Sequence, residues 1–292
     1  MKEVVKRLLP DAVIRWLKRL RARQRLGSAR IAANKVGQVD AQWRRRIDDV
    51  VACPDNQHIP RCEGAGELDG NLITMHNGVR VSAVGYYGGG NLNMLIENRG
   101  VHEPQEERAF EEIIRMLPEE CSMLELGAYW GFYSLSLLKQ RPQAKCYLVE
   151  PDAENILSGQ YNFRMNGRTG QFTEAWVGAE FRMKPPTIAV DAFCTEHDIT
   201  HLHILHADIQ GAELDMLLGA SKMLNAGKVD FVFISTHSNK LHASCLERLE
   251  EYGYVTLAEV DLDATYSFDG LIVAKHPSVA QPEQLEISRR GG

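Results

Sequence analysis

The most constraining stretch of this chain passes from an apolar run into two glycines and then into a second apolar run. The first run covers residues 121–126, the glycines are Gly127 and Gly131, and the second run stops before Pro142. This pattern predicts a strand, a tight turn and a helix. Glycine lets the backbone approach a ligand closely, and the first turn of a helix offers unpaired N–H groups. The stretch therefore predicts a ligand-binding junction.

Two glutamates flank this junction on consecutive predicted strands. Glu125 stands two residues before Gly127, and Glu150 closes the next apolar run nineteen residues after Gly131. A carboxylate at the first position suits the ammonium group of an amino acid. A carboxylate at the tip of the second strand holds a ribose diol in doubly wound folds. The spacing Gly-x-x-x-Gly also differs from the Gly-x-Gly-x-x-Gly of dinucleotide sites. Together these residues predict a site for S-adenosylmethionine.

Several motifs along the chain are similar to those of a known family. They are Glu-Leu-Gly-Ala-Tyr-Trp-Gly at 125–131, Val-Glu-Pro-Asp at 149–152, and the segments 207–213, 234–238 and 269–271. Over roughly residues 103–275 the chain resembles class I methyltransferases, and within them the FkbM-type O-methyltransferases, which usually have glutamate where this chain has Gln210. The resemblance implies methylation of a hydroxyl of a sugar, glycan or secondary metabolite.

Strand and helix patterns alternate from residue 121 onward, which is typical of a parallel sheet. The predicted strands include residues 171–177 and 202–207, and the predicted helices include residues 153–165 and 213–224. We expect an α/β fold: a Rossmann-like, seven-stranded class I methyltransferase sheet with helices on both faces, closed by an antiparallel pair at 255–260 and 271–274. An N-terminal helical arm and a small β-hairpin around Asn77-Gly78 precede it. The expected parts are a basic helical arm (1–53), a linker with the hairpin and a Gly/Tyr loop (54–105), the methyltransferase domain (106–277) and a frayed polar tail (278–292).

The tips of the predicted strands supply the candidate site residues. The residues expected to hold the cofactor are Glu125, Gly127, Ala128, Tyr129, Gly131, Glu150, Trp176 and Val177. Asp208 and His237 follow the fourth and fifth strands, where ligands of open α/β sheets bind. His102 and Glu103 stand one element before the cofactor strand. These four are the catalytic candidates, with His237 as the general base. The alternatives are a helix cap for Asp208 and an inert loop histidine at position 237.

Two routes to deprotonation of an acceptor hydroxyl stay open. Either His237 takes the proton directly, or Asp208, Glu213 and His237 bind Mg²⁺, which acidifies a bound diol. Glu213 could equally be a carboxylate that compensates a helix dipole. Three histidines, at 201, 203 and 206, lie along the approach to the fourth strand and within it, but the first falls in the preceding loop, so we expect no metal site there.

Charge divides the chain into two parts. Residues 1–50 hold 14 Lys+Arg against 5 Asp+Glu, a net of +9, so the remainder carries −15 to reach the total of −6. The amphipathic basic arm predicts either peripheral contact of residues 1–30 with an anionic membrane or packing on its own domain or on a second subunit, which would make a homo-oligomer. We expect no nucleic-acid binding, because aromatic residues are not interleaved with the basic ones.

Composition also bears on location. Six cysteines form no Cys-x-x-Cys pair, no apolar run reaches the roughly 20 residues of a membrane span, and the N-terminus lacks the apolar core of a signal peptide. We expect a cytoplasmic enzyme that acts on a small-molecule or carbohydrate acceptor and that lies at the inner face of the membrane if the arm binds lipid. The competing hypotheses are an NAD-dependent Rossmann oxidoreductase, opposed by the missing third glycine and by Glu125, and a non-catalytic S-adenosylmethionine-binding scaffold.

Overall fold

A seven-stranded sheet forms the centre of the computed structural model, which describes residues 11–85 and 88–291. Its strands, in spatial order, are β12 (Val255–Val260), β13 (Gly270–Lys275), β11 (Val229–Thr236), β10 (Leu202–Ala207), β4 (Ser122–Leu126), β5 (Lys145–Val149) and β6 (Gln171–Thr173). Strand β13 runs antiparallel to both neighbours, and the other pairs are parallel. This confirms the predicted sheet and its antiparallel edge.

Helices cover both faces of this sheet, which is why its central strands are almost continuously apolar. They are α5 (Pro104–Met116), α6 (Phe132–Gln140), α7 (Ala153–Met165), α8 (Val190–Glu196), α9 (Glu213–Gly219), α10 (Ser221–Asn225) and α11 (Asn239–Glu251). Successive residues of β10 enter opposite cores: Ile204 packs with Phe110 on one face, and Leu205 packs with Met216 on the other. The sheet is thereby fixed between two apolar layers, and its carboxyl edge is left to bind ligands.

The N-terminal part consists of helices and a small sheet. Its elements are α1 (Asp11–Leu26), α2 (Ala29–Lys35), α3 (Ala41–Ala52), the strands β1 (Leu68–Asp69), β2 (Leu72–Thr74) and β3 (Arg80–Ser82), and α4 (Gly88–Glu97). Strands β2 and β3 pair antiparallel around the predicted hairpin turn. Within the described residues no helix is both long and apolar enough to cross a membrane.

The basic arm packs on its own domain over the residues that the structure describes. Ala22 and Leu26 of α1 are buried against Leu157 of α7. Arg19 forms an ion pair of 2.6 Å with Glu174, and Arg25 pairs with Glu154. Exposed pairs of this kind each contribute only about 0–1 kcal/mol, so the apolar contacts hold the helix in place. The first ten residues of the arm lie outside the described residues.

Two segments differ from what the sequence predicts. Residues 88–90, expected in a Gly/Tyr loop, begin α4; a Cβ on Gly90 would overlap the Trp43 ring, so these glycines allow close helix packing. Tyr86 and Tyr87 of that loop lie outside the described residues. The helix expected over 213–224 is divided into α9 and α10.

The tail and the third strand also depart from expectation. Leu285, in the tail expected to be frayed, is 3% exposed, and its N–H donates to the carbonyl of Leu257. The third strand, expected over 171–177, ends at Thr173. Its continuation, β7 (Trp176–Val177), joins a separate small sheet with β8 (Arg182–Met183) and β9 (Pro186–Ile188). This pairing with a later segment is not visible in the local pattern.

Candidate active site

A cavity of about 540 Å³ opens at the carboxyl edge of the sheet, where β4, β5 and β10 end. It is the place where ligands of open α/β folds bind. The sequence-predicted site residues that line it are His102, Glu103, Glu125, Gly127, Ala128, Tyr129, Glu150, Trp176, Val177 and Asp208. Gly131, Glu213 and His237 are not among the residues that line it. The structure therefore gathers most of the predicted cofactor and catalytic residues around one space.

The turn after β4 can be built only with glycine at its first position. Gly127 has a φ of +73°, and a Cβ there would overlap the carbonyl oxygen of Asp208. The N–H groups of Gly127 and Ala128 donate to the carbonyl of Val149, at 2.9 and 3.0 Å, while Asp208 donates to the carbonyl of Leu126. The turn is thereby held between β5 and β10, and its backbone faces the cavity.

Glu150 is oriented by this same turn. Its Oε2 accepts a hydrogen bond of 3.0 Å from the N–H of Tyr129, and its Oε1 accepts from the N–H of Asp152 and from Nδ2 of Asn155. Burial raises the pKa of Glu150, and these donors oppose that rise. The carboxyl group is thus fixed at the cavity wall beside the tip of the second strand, as a holder of a ribose diol must be.

Glu125 occupies the deeper part of the cavity wall and is 3% exposed. Its Oε2 accepts from the N–H of Ser134 at 3.1 Å and also from the Ser134 hydroxyl, in the first turn of α6. A glycine turn between two carboxylates, at the start of a helix, matches what a nucleoside with an amino-acid group requires. The residues present therefore fit S-adenosylmethionine.

We expect Glu150→Gln to weaken S-adenosylmethionine binding by roughly 10- to 100-fold, because a hydrogen bond to a charged group contributes about 1.5–3 kcal/mol. Calorimetric titration measures the change. Glu154→Gln is the matched control, since Glu154 lies nearby in α7 but pairs outward with Arg25. Equal affinities of the two variants would remove Glu150 from the cofactor site.

The other end of the cavity is acidic. Asp208 follows β10, and Asp269 precedes β13. Burial, together with the negative charge of Asp208, raises the pKa of Asp269 to about 7. Sequence reasoning placed Asp269 in a family-like motif but gave it no role. A carboxyl group that titrates near neutrality beside a cavity is a candidate proton acceptor.

His237 stands behind these carboxylates. Its Nδ1 lies 2.8 Å from Oε1 of the buried Glu213, and its Nε2 lies 3.2 Å from Asp208 and 3.4 Å from Asp269. Although burial alone would lower it, the bonds to Asp208 and Glu213 raise the pKa of His237 to about 10. The histidine is therefore charged at neutral pH and donates hydrogen bonds to the neighbouring carboxylates. Its role as the general base stays a prediction that this geometry does not favour.

His102 and Glu103 line the same end of the cavity as part of a buried network. His102 lies 2.6 Å from Glu107 through Nδ1 and 3.2 Å from Glu103 through Nε2. Burial opposes a charge on the ring, but Glu107 and Glu103 raise the pKa of His102 to about 10. Glu106, in the first turn of α5, is buried and lies 2.7 Å from His206.

The predicted magnesium ligands are close together but do not converge. Glu213 and Asp208 contact opposite nitrogens of His237, so one ion cannot take all three. Among residues 11–85 and 88–291, one group of histidine and acidic side chains has its metal-ligating atoms all within 4.8 Å of one another. It consists of His201, His203 and Asp230, at the amino edge of the sheet. There Nδ1 of His203 already accepts a bond from the N–H of Ser122.

A family model supports the identity that this site indicates. The methyltransferase FkbM domain matches residues 149–256, from the end of β5 into β12. This match favours methyl transfer over the oxidoreductase hypothesis. A search of curated proteins finds no match.

Solved structures of methyltransferases resemble the chain at low identity. Precorrin-6y C5,15-methyltransferase from Geobacter metallireducens is 14% identical, with 59% of this chain and 88% of that chain covered and a TM-score of 0.42. TrmK of M. capricolum, in complex with the natural cofactor product S-adenosyl-homocysteine, is 12% identical, with 60% and 71% covered and a TM-score of 0.40. At such TM-scores the assignment rests on the domain match and the site. Residues 149–256 match the methyltransferase FkbM domain, and this match together with the site supports an S-adenosylmethionine-dependent methyltransferase.

Proposed function

We propose that this enzyme methylates a hydroxyl group of a sugar, a glycan or a secondary metabolite. The observation that carries the proposal is the pair of carboxyl groups, Asp208 and Asp269, across β4 from Glu150. An alcohol attacks poorly while it keeps its proton, so a hydroxyl acceptor needs a base at this place. Asp269, with a pKa raised to about 7 by burial, gains and loses a proton near neutral pH.

In this proposal, the residues that hold the cofactor and those that deprotonate the acceptor lie in different parts of the cavity. S-adenosylmethionine, when bound, supplies a methyl group attached to a positively charged sulfur. Glu125, Glu150 and the Gly127 turn are placed to hold that molecule. Asp269 takes the proton of the acceptor hydroxyl, while the charged His237 offsets the negative charge of Asp208 and keeps both carboxyl groups oriented. Positioning and proton removal together account for the chemistry that a hydroxyl acceptor demands.

The experiment that tests this function follows tritium from methyl-labelled S-adenosylmethionine into a panel of sugars, sugar phosphates and hydroxylated aromatic compounds. We expect the label on oxygen, located by NMR of the product. Label on nitrogen or carbon would contradict the proposal. Binding of S-adenosylmethionine without transfer to any hydroxyl would instead favour the scaffold hypothesis.

The same experiment, run with and without magnesium, tests the metal-assisted route. Because Asp208 and Glu213 contact opposite sides of His237, we expect EDTA to leave the transfer rate unchanged. A rate that falls with EDTA and returns with Mg²⁺ would support the metal-assisted route through Asp208, Glu213 and His237.

The partners and location of the enzyme stay predictions. Arg19 and Arg25 are paired with acids of the domain itself, which leaves fewer charges of the described arm for a lipid surface. Co-sedimentation with phosphatidylglycerol vesicles tests the peripheral membrane contact, and analytical ultracentrifugation tests the homo-oligomer. A protein that stays in the supernatant would remove the membrane hypothesis.

A further inference from the structure

Arg46, in the helical arm, reaches the wall of the active-site cavity. It lies on α3, and its side chain is 15% exposed. Its guanidinium group stands over two aromatic rings, 4.5 Å from the centroid of Phe268 and 5.2 Å from that of Trp43. Phe268 directly precedes Asp269, the candidate proton acceptor. The arm therefore places a cation, supported by cation–π contacts, at the acceptor end of the cavity.

The described residues do not satisfy the hydrogen-bond donors of this guanidinium group. Its nearest ion-pair partner is Glu103, with 4.0 Å between Nη2 and Oε1, which is too long for a hydrogen bond. Its Nε is buried without a hydrogen-bond partner among the described residues. Because Nε itself is enclosed by the protein, the terminal nitrogens of this cavity-lining side chain are the donors available to a ligand.

Glu103 has other partners that account for its charge. Its Oε2 accepts a hydrogen bond of 3.0 Å from the Tyr133 hydroxyl and lies 3.2 Å from the ring of His102. His102 is charged, since Glu107 and Glu103 outweigh its burial and raise its pKa to about 10. Arg46 is therefore not needed to compensate Glu103.

The rest of the cavity repels anions. Six carboxyl groups line it: Glu103, Glu125, Glu150, Asp152, Asp208 and Asp269. Of the lining residues that the structure describes, Arg46 is the only lysine or arginine; His102 and His206 also line the cavity, but each is paired with a buried glutamate. An anionic group in this cavity therefore has one favourable place.

We infer that the methyl acceptor carries an anionic group, a phosphate ester or a carboxylate, which the guanidinium of Arg46 binds. The planar guanidinium forms two parallel hydrogen bonds with either anion, and the flanking rings hold it in the orientation that such a pair requires. The inference rests on the proposed function, because it names the class of acceptor for the same site. Arg46 would then determine acceptor specificity, at the part of the cavity wall formed by helix α3 of the basic arm.

The test uses the whole 292-residue chain saturated with S-adenosylhomocysteine and three probes: glucose 1-phosphate, glucuronate and glucose. By calorimetric titration, we expect at least one anionic sugar to bind about tenfold or more tightly than glucose. The tighter of the two anions distinguishes phosphate from carboxylate. Arg46→Gln should abolish this preference. Arg46→Lys keeps the positive charge but cannot form two parallel hydrogen bonds, so it should retain part of the preference.

Arg44→Gln is the matched control for charge. Arg44 lies on the same helix, pairs with Glu97 at 2.8 Å and does not line the cavity, so the anion preference should survive. Equal or undetectable binding of all three probes to the unsubstituted protein, or a preference that persists in Arg46→Gln, would overturn the inference. Titration of S-adenosylhomocysteine into each variant checks that the variant is folded. If Arg46→Gln does not fold, the anion preference of Arg46→Lys tests the inference in its place.

Failure of this inference is distinguishable from failure of the proposed function. Methyl transfer to neutral and anionic hydroxyl compounds at equal efficiency would remove the anion site and leave O-methylation intact. Binding of anionic sugars that depends on Arg46, without transfer to any oxygen, would do the reverse.

Discussion

Replacing Gly127 by alanine should abolish S-adenosylmethionine binding and lower the free energy of unfolding by roughly 3–5 kcal/mol. The residue has a φ of +73°, a conformation that costs an ordinary L-residue about 1–2 kcal/mol. The added Cβ would also overlap the backbone carbonyl of Asp208, and rotation of a side chain cannot relieve a clash with backbone. The tips of β4 and β10 would have to separate. Chemical denaturation and calorimetric titration with S-adenosylhomocysteine measure the two effects.

Gly167→Ala separates the contribution of the clash from that of the backbone conformation. Gly167 has a similar φ of +63°, but nothing lies within 4 Å of its Cβ position. We expect a loss of about 1–2 kcal/mol in stability and unchanged cofactor affinity. If Gly127→Ala bound S-adenosylhomocysteine as the unsubstituted protein does, the turn after β4 would not be the cofactor cradle.

The second large effect is expected at Asp269. Asp269→Asn should lower kcat by about 10²–10⁴-fold, the usual contribution of a general base, with S-adenosylhomocysteine affinity unchanged. A base must be deprotonated to work, and burial raises the pKa of Asp269 to about 7. The activity of the unsubstituted enzyme should therefore rise with pH through about 7, and this rise should be missing in the variant. Rate measurements across pH test both statements.

Two further variants decide between the candidate bases. Asp263→Asn alters an exposed carboxylate of the same loop, which accepts a bond from Asn239, and should leave kcat and the pH profile unchanged. His237→Asn should lower kcat through loss of orientation, while the rise with pH remains but moves to higher pH, because the charged His237 lowers the pKa of Asp269. If that rise disappeared with His237 and persisted in Asp269→Asn, the histidine would be the base.

The sheet could be predicted because its determinants are local. Strand β10 and helix α7 have the predicted bounds, Leu202–Ala207 and Ala153–Met165. Buried parallel strands appear as continuous apolar runs, and Asn166-Gly167 ends the helix with a residue that tolerates positive φ. That Glu125, Gly127 and Glu150 meet at one cavity was predictable for the same reason, since they lie within one βαβ unit.

The acceptor end was less predictable because distant segments form it. Trp43 and Arg46 belong to a helix that the sequence presents only as basic and amphipathic, while Asp269 follows a polar connection. Glu106 and Glu107 look like ordinary first-turn acids, yet both are buried in ion pairs with histidines of other elements. Such contacts depend on tertiary packing, which local periodicity does not encode.

The reach of α3 into the cavity has a consequence for fragments and relatives of this enzyme. The matched FkbM domain, residues 149–256, contains Glu150 and Asp208 but neither Arg46 nor Asp269. A truncated protein that begins after the arm would have a donor site with an incomplete wall opposite it. Exchange of N-terminal segments among homologues would then change the acceptor. The residues that bind S-adenosylmethionine would stay the same.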